Sequence, residues 1–309
     1  MAILAVRHLT RYRYRQAVAF GEHRMMFRPC ESWDQRLIEA RLTIDPAPVH
    51  LRNMHDVFGN CVSIARFGGR ARNLTFRSEV RLEHLPAPLT AEADDWFPLS
   101  PAVFPHPYAE RDLPDLASSI EARHADPDGA LENWARRFAP RGLRGRILDA
   151  LGDMTGAVHE EFAYASRLTV GTQTPLETLR LRAGSCRDFA VLMIEAARRL
   201  GLAARFVSGY IYCPGAGAAG RARGGGHTHA WVRVYLPSFG WAEFDPTNGI
   251  VGGANLIRVA VARDPRQALP LHGTWMGEAG DYLGMDVEVD VEVEAEPRAR
   301  RRVSLSLAP

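Results

Sequence analysis

The second half of the chain carries a cysteine, a histidine and an aspartate whose side chains can act together on a carbonyl group: Cys186, His229 and Asp245. A thiolate attacks a carbonyl carbon once a neighbouring imidazole has taken the proton of the thiol. A carboxylate bonded to that imidazole fixes its tautomer and stabilises its protonated form. The three residues are far apart along the chain, so this chemistry depends on the elements that bring them together.

Cys186 lies in the run Gly184-Ser185-Cys186-Arg187-Asp188, where an irregular segment is predicted to become a helix that begins at Ser185 or Cys186. The free amides and the positive end of the dipole at a helix N-terminus stabilise a thiolate. The same amides can bind the oxyanion that forms at an attacked carbonyl. For Cys186 alone, a structural cysteine at the start of a core helix is the more common situation, because free cysteines are usually buried.

His229 begins a predicted strand, and Asp245 ends the next one. The run Pro237-Ser238-Phe239 predicts a tight connection and therefore an antiparallel hairpin, in which Leu236 faces Gly240. Counting back from this turn brings His229 to the end of the hairpin at which Asp245 lies, and one bulge or register step would put the two side chains next to each other. A Cys–His–Asp arrangement follows if this end of the sheet lies against the N-terminus of the cysteine-bearing helix.

The first 85 residues have the pattern of a β-rich domain. Short strands are predicted at 10–14, 36–44, 61–67 and 74–82. Clusters of proline, glycine and asparagine separate them, and this spacing favours a β-sandwich-like domain over residues 1–85. Residues 86–114 contain seven prolines, which resist both helices and central strands, so we predict a linker there.

From residue 115 the apolar residues recur at helical spacing before strands return. Helices are predicted at 131–138, 142–162, 174–182 and from Cys186 to about residue 200, and strands at 204–212, 229–236 and 240–244. Helices followed by strands, without a βαβ alternation, predict an α+β core over residues 115–265 in which helices pack on an antiparallel sheet. A C-terminal extension, 266–309, contains a late strand at 285–294 and a basic tail, RARRR, that we expect to be solvated.

Three runs of the sequence resemble the transglutaminase-like superfamily: GSCRDFAVLMIEAARRLGLAARFVSGY, HTHAWVRVYLP and GWAEFDPTNG. The runs YRY at 12–14, MFRP at 26–29 and DVFGN at 56–60 resemble the β-rich domain that precedes the core in the bacterial branch of this family. The resemblance implies a papain/transglutaminase-like core and a catalytic triad of Cys186, His229 and Asp245. It also implies acyl transfer through a thioester, in a branch described as cysteine proteases or transglutaminases, without naming the acceptor.

Two segments depart from the family pattern. The chain has Ala-Arg-Asp-Pro at 262–265, where the family often has Gly-Arg-Asp-Tyr, and the insertion at 214–226 is longer and richer in glycine than is usual. Both could alter substrate entry, and we expect the insertion to be a mobile loop beside the site. Its GAGAAG run at 215–220 has the letters of a dinucleotide fingerprint, but a strand rather than a helix follows, so no nucleotide cofactor is predicted.

Three further side chains are candidates around the triad. Tyr164 is a candidate second donor to the oxyanion, with a hydroxyl bonded at the domain edge as an equal alternative. His227 and Trp231 are expected at the rim of the site, although tryptophan on a core strand is more often simply packed. His227 and His229 do not make a zinc site, because the chain lacks HExxH and paired-cysteine patterns, and no metal or other cofactor is predicted.

The composition is that of an ordinary soluble protein, with 46% hydrophobic and 24% charged residues in a chain of 309. The net charge of +2 gives no support for a nucleic-acid partner. Basic residues interrupt every apolar run near the N-terminus, so neither a signal peptide nor a membrane span is predicted. The four cysteines are scattered, so we expect a cytoplasmic protein with free thiols. The sequence does not fix the oligomeric state.

These patterns favour a thiol-dependent enzyme that acts on the peptide or carboxamide bonds of a peptide or protein substrate. Hydrolysis by a peptidase or amidase is favoured over transamidation, because nothing in the sequence marks an amine site and water competes by default. An amidase or isopeptidase for one small peptide-like conjugate would use the same chemistry. The alternative from another class is a non-catalytic protein- or peptide-binding module whose N-terminal domain is the recognition surface. The intact Cys–His–Asp set argues against it, since an unused site is free to lose these residues.

Overall fold

The computed structural model describes residues 2–89, 108–139, 145–166, 171–212, 223 and 225–294. Most of the predicted linker, the GAGAAG run and the basic tail lie outside these residues. In chain order the helices and strands are β1 (Ala2–Met25), β2 (Gln35–Asp45), β3 (His50–His55), β4 (Cys61–Arg66), β5 (Arg70–His84), α1 (Leu113–Ile120), α2 (Ala130–Arg136), α3 (Ile147–Glu161), β6 (Ala163–Tyr164), α4 (Pro175–Leu181), β7 (Ala183–Gly184), α5 (Cys186–Arg199), β8 (Ala204–Ile211), β9 (His229–Leu236), β10 (Gly240–Asp245), β11 (Ile250–Val251), β12 (Leu256–Ala262), β13 (Leu271–Met276) and β14 (Tyr282–Glu294).

The N-terminal sheet is organised around one long strand. β1 runs for 24 residues and pairs antiparallel with β5 and β14 along its first half, and with β4 and β13 near its end. The sheet has the order β2-β5-β1-β4-β3, with β13 and β14 also joined to β1. The prediction of a short strand at 10–14 was too short, because His8 and Thr10 occupy inward-facing positions where apolar residues would have continued the alternation. The late strand predicted at 285–294 is β14, so the C-terminal residues extend the sheet that the N-terminal residues begin.

The second half of the chain packs helices on a five-stranded antiparallel sheet of order β11-β10-β9-β8-β12. The central helix α5 lies on β8 and β9, and α2, α3 and α4 pack around it. Nearly every residue of α5 is buried, as expected for a helix that is apolar around most of its circumference. This arrangement confirms the predicted α+β class, with a β-rich region preceding a core of helices on an antiparallel sheet.

Local sequence chemistry sets several element boundaries. Thr174 and Glu177 form the predicted capping box at the start of α4. Gly201 adopts a φ of +77° just beyond α5, which ends that helix as predicted. β3 was not predicted, because all six of its residues are exposed and it has no alternation of apolar and polar side chains. None of the described helices is both long and apolar enough to cross a membrane.

The N-terminal sheet docks on β12, an edge strand of the five-stranded sheet. The Gln35 side-chain amide donates to the Arg258 carbonyl oxygen at 2.7 Å and accepts from the Arg258 N–H at 3.1 Å. The Asn60 amide makes the same pair of bonds with Val261, at 2.7 and 2.8 Å. An uncovered edge strand presents free backbone groups to other chains, and here two side-chain amides satisfy them in place of another strand. These contacts fix how the N-terminal sheet sits on the core.

Candidate active site

Cys186 is the first residue of α5, and it is almost completely buried. The backbone N–H and the hydroxyl of Ser185, the N-cap, both donate to Asp188 Oδ2 at 2.8 Å. Asp188 Oδ1 accepts from the backbone N–H of Gln173 at 2.7 Å. Gly184 allows this close approach, since a Cβ there would lie 2.9 Å from the Cβ of Asp188. These bonds fix the start of the helix, so Cys186 is held at the free amides of its first turn.

His229 and Asp245 form a buried ion pair on the neighbouring strands. His229 Nε2 lies 2.8 Å from Asp245 Oδ2, and both side chains are fully shielded from solvent. The carboxylate is held in turn by the Thr247 backbone N–H, 2.9 Å from Oδ1, and by Asn248 Nδ2, 2.8 Å from Oδ2. The imidazole therefore has one tautomer-fixing partner, and that partner is itself oriented by two donors.

The hairpin register explains how the histidine and the aspartate meet. Leu236 faces Gly240 as predicted, and the ladder continues regularly to the pair Val232–Phe244. The same register brings Asp245 to the diagonal position from His229 on one face of the sheet. The expected bulge or register step was wrong, because diagonal neighbours on one face are already within reach of each other's side chains.

The electrostatics of the pair favour a protonated imidazole. Burial alone disfavours that charge, but the Asp245 carboxylate, with a further contribution from Cys186, raises the pKa of His229 to about 10. Burial opposes ionisation of Asp245 as well, yet the His229 charge and the Asn248 and Thr247 donors keep its pKa below the ordinary value. His229 Nδ1 has no hydrogen-bond partner among the described residues. Since Nε2 is held by Asp245, Nδ1 is the nitrogen available to Cys186.

Tyr164 lies beside the helix start. The two-residue strands β6 and β7 pair in parallel and set Tyr164 opposite Gly184, two residues before Cys186. Tyr164 is half-buried, and burial together with the neighbouring Cys186 raises the pKa of its hydroxyl. The phenol therefore stays protonated near neutral pH, as a hydrogen-bond donor to an oxyanion must.

The two predicted rim residues have different positions. His227 is exposed just before β9, whereas Trp231 is fully buried, so the prediction of Trp231 at the rim was wrong. Because side chains alternate along a strand, Trp231 shares a face with His229, and the two rings stack with centroids 5.9 Å apart. Its Nε1 donates to Glu243. The Trp231 ring therefore packs against the His229 imidazole in the protein interior.

The comparisons with known proteins cover both halves of the chain. Residues 4–83 match the bacterial transglutaminase-like N-terminal region, and residues 142–246, which contain the triad candidates, match the transglutaminase-like superfamily. An uncharacterised protein of Mycobacterium tuberculosis is 32% identical over 274 residues, which span 87% of this chain and 86% of that protein. The chain belongs to the transglutaminase-like superfamily.

Two other proteins are similar to this chain. An uncharacterised protein of Mycobacterium bovis matches over the same share of both chains, also at 32% identity. A solved structure, "Putative Cysteine Protease from Cytophaga hutchinsonii", superposes with a TM-score of 0.69, covering 95% of this chain and 91% of its own. At 17% sequence identity, that likeness shows a shared fold.

A charged network that the sequence interpretation missed joins the transglutaminase-like core to the segment before β2. Arg258 Nη1 donates to Glu243 Oε1 at 2.7 Å, and the same guanidinium binds both carboxylate oxygens of Asp34 at 2.9 Å. Glu243 in turn accepts from the indole of Trp231, which stacks on His229. A carboxylate inside the apolar strand WAEFD was the available clue, since a buried charge needs a partner.

Asn248 is the second residue that sequence interpretation missed. It stands three residues after Asp245 and donates to the Asp245 carboxylate, and its Oδ1 accepts from the backbone N–H of Arg223 at 2.8 Å. Its place in the run DPTN was the only clue. Within the described part of the chain, no group of three or more His, Cys, Asp or Glu side chains is arranged to hold a metal ion.

Proposed function

We propose that this chain is a thiol-dependent acyl-transfer enzyme that acts on peptide or carboxamide bonds, with Cys186 as nucleophile, His229 as acid and base, and Asp245 as the orienting carboxylate. The observation that carries the proposal is the buried His229–Asp245 pair, whose raised imidazole pKa also has a contribution from Cys186 at a helix N-terminus. Burying a charged pair carries a desolvation penalty. Histidines whose pKa is strongly perturbed, as here, cluster at catalytic sites.

The mechanism divides the reaction into acylation and deacylation. The Cys186 thiolate forms a bond to the carbonyl carbon, and the carbonyl electrons move to the oxygen, where the Cys186 amide and the Tyr164 hydroxyl donate to it. Collapse of this intermediate breaks the carbon–nitrogen bond, and His229 gives its proton to the departing amine. The product of this half is a thioester on Cys186 and a neutral His229.

Deacylation determines the type of enzyme. Neutral His229 removes a proton from water, which attacks the thioester and releases an acid, or from an amine, which forms a new amide. We favour hydrolysis of a peptide or protein substrate, because no feature among the described residues marks an amine site and water is always present. Proteolysis would agree with the name of the similar Cytophaga structure.

The test uses p-nitrophenyl acetate, an activated ester that needs no specific recognition. We expect a burst of p-nitrophenol matched by one acetyl group on Cys186 in intact-mass and peptide analysis, and its loss in Cys186→Ala. Cys61→Ala is the matched control, because Cys61 is a half-exposed cysteine outside the site. A burst that survives in Cys186→Ala, or one that is lost in Cys61→Ala, would contradict the proposal and favour a non-catalytic binding module.

The same experiment separates the two acceptors. Acetylated enzyme is isolated quickly and its deacylation is followed in buffer with and without cadaverine. Release of acetate at a rate independent of the amine supports hydrolysis. Formation of acetylcadaverine in proportion to amine concentration would show that transamidation is the main reaction.

A further inference from the structure

A second cysteine site lies in the N-terminal sheet, far along the chain from the triad. Cys30 is in the segment between β1 and β2, and Cys61 is the first residue of β4; their Sγ atoms are 3.5 Å apart. Both are half-exposed. His55, which faces Cys61 across the β3–β4 ladder, has its Nε2 3.7 Å from the Cys61 sulfur. The two thiols can meet after a small side-chain rotation, with an imidazole beside one of them.

The pair is accessible to small molecules. Both cysteines and His55 line a cavity of about 790 Å³ whose walls combine apolar side chains with Arg28 and Arg41. Glu31 also lines it, so the lining is of mixed charge. A cavity of this size admits a peptide-sized reagent, and the two arginines can attract one that bears carboxylates.

We propose that Cys30 and Cys61 form a reversible disulfide by exchange with small, carboxylate-bearing disulfides that enter this cavity. Cys61 attacks first, since His55 can accept its proton, whereas burial raises the pKa of Cys30 to about 11. The Cys61 sulfur bonds to one sulfur of the reagent and expels a thiolate, which leaves a mixed disulfide. Cys30 loses its proton to solvent and attacks the Cys61 sulfur, which expels the second thiolate; the two expelled thiolates take up protons from solvent. Two protein thiols are oxidised, and one reagent disulfide is reduced to two thiols.

The bond would lock the contact between the N-terminal sheet and the core. Four residues after Cys30, the chain carries Asp34 and then Gln35, both bound to Arg258. Immediately before Cys61 stands Asn60, which holds Val261 of the same edge strand. A cross-link between the two cysteines therefore connects the two segments that hydrogen-bond to β12. We expect the oxidised protein to melt about 5–10 °C higher, because the bond closes a loop of roughly 30 residues.

The experiment uses the full chain with Cys186→Ala, so that the triad thiol cannot react and the result is independent of the proposed function. After treatment with oxidised glutathione, we expect an intact mass lower by two hydrogens, a Cys30–Cys61 cross-linked peptide, and the rise in Tm, all reversed by dithiothreitol. Adding Cys30→Ser should instead trap a stable glutathione adduct on Cys61.

Two results would overturn the proposal. One is a product in which Cys30 and Cys61 carry only separate glutathione adducts or remain reduced while the protein is folded. The other is a cross-linked protein whose Tm equals that of the reduced form, which would mean that the bond does not lock the contact. Cys61→Ser gives a second route to the test, since Cys30 should then react far more slowly with glutathione than Cys61 does in the Cys30→Ser protein.

Discussion

Replacing Asp245 by Asn should return the buried imidazole of His229 to its neutral form. In the native protein, burial disfavours the charge and the Asp245 carboxylate overrides it, so that the His229 pKa is about 10. Asn keeps the shape of the side chain but removes its charge, and burial then dominates. We expect the His229 pKa to fall from about 10 to about 6.5 or lower, a loss of about 5 kcal/mol or more in imidazolium stability at ~1.4 kcal/mol per pKa unit.

The direct assay is an NMR titration of the ring nitrogens in histidine-labelled protein from about pH 5 to about pH 11. The imidazolium form of His229 should persist to about pH 10 in the native chain and vanish near neutral pH in Asp245→Asn. The rate of acylation by p-nitrophenyl acetate near neutral pH should fall by roughly 10³–10⁴, as expected when the orienting acid of a triad is lost. Asp286→Asn, which removes an exposed carboxylate paired with Arg13, is the control and should change neither the His229 titration nor the acylation rate.

A graded change and a stability measurement complete this test. Asn248→Ala removes one donor to Asp245 but not the charge, so we expect a smaller loss, about tenfold in rate. Since the folded pKa of His229 is raised, its stabilisation is complete below about pH 6.5 and disappears as pH rises toward about 10. Asp245→Asn should lack this alkaline loss. A native His229 that titrates near 6.5, or an unchanged titration in Asp245→Asn, would refute the reasoning.

Three further predictions concern other parts of the site and its support. Tyr164→Phe should lower kcat for acylation by about 10² with little change in KM, and an unchanged kcat would remove Tyr164 from the oxyanion site. Glu195 is a buried residue of α5; burial opposes its ionisation, but the backbone N–H groups of Arg123 and His124 and the Arg198 guanidinium lower its pKa to about 2. The ionised carboxylate therefore contributes about 3 kcal/mol to folding stability above about pH 4.5, and this contribution is lost as the pH falls toward 2. Acid unfolding of Glu195→Gln should lack this component. Arg258→Met should lower stability by about 3 kcal/mol in urea unfolding, since it leaves Glu243 and Asp34 without their shared cation, and an unchanged midpoint would show that the network contributes nothing.

The sequence alone determined the parts of the site that depend on neighbours in the chain. The helix that begins at Cys186 follows from the Ser185 and Asp188 hydrogen bonds, which span three residues. The register that brings His229 and Asp245 to one face follows from a three-residue turn, because turn length fixes the pairing of a hairpin. Both are short-range effects, and the family resemblance pointed to the same three residues.

Only the tertiary structure decided which distant segments meet. β1 pairs with β14, setting Ile3 opposite Glu294, although no local pattern in either strand specifies the other as partner. Trp231 was expected at the rim but is buried, because on the sheet face it shares with His229 it packs among apolar residues of β8 and β12. Arg258 and Glu243 lie on different strands of one sheet, and Asp34 joins them only when the N-terminal sheet docks on that sheet. Helix and strand propensities depend on a few neighbouring residues. These contacts depend instead on which faces of the sheets and helices are buried against each other, so they form only when the whole core packs.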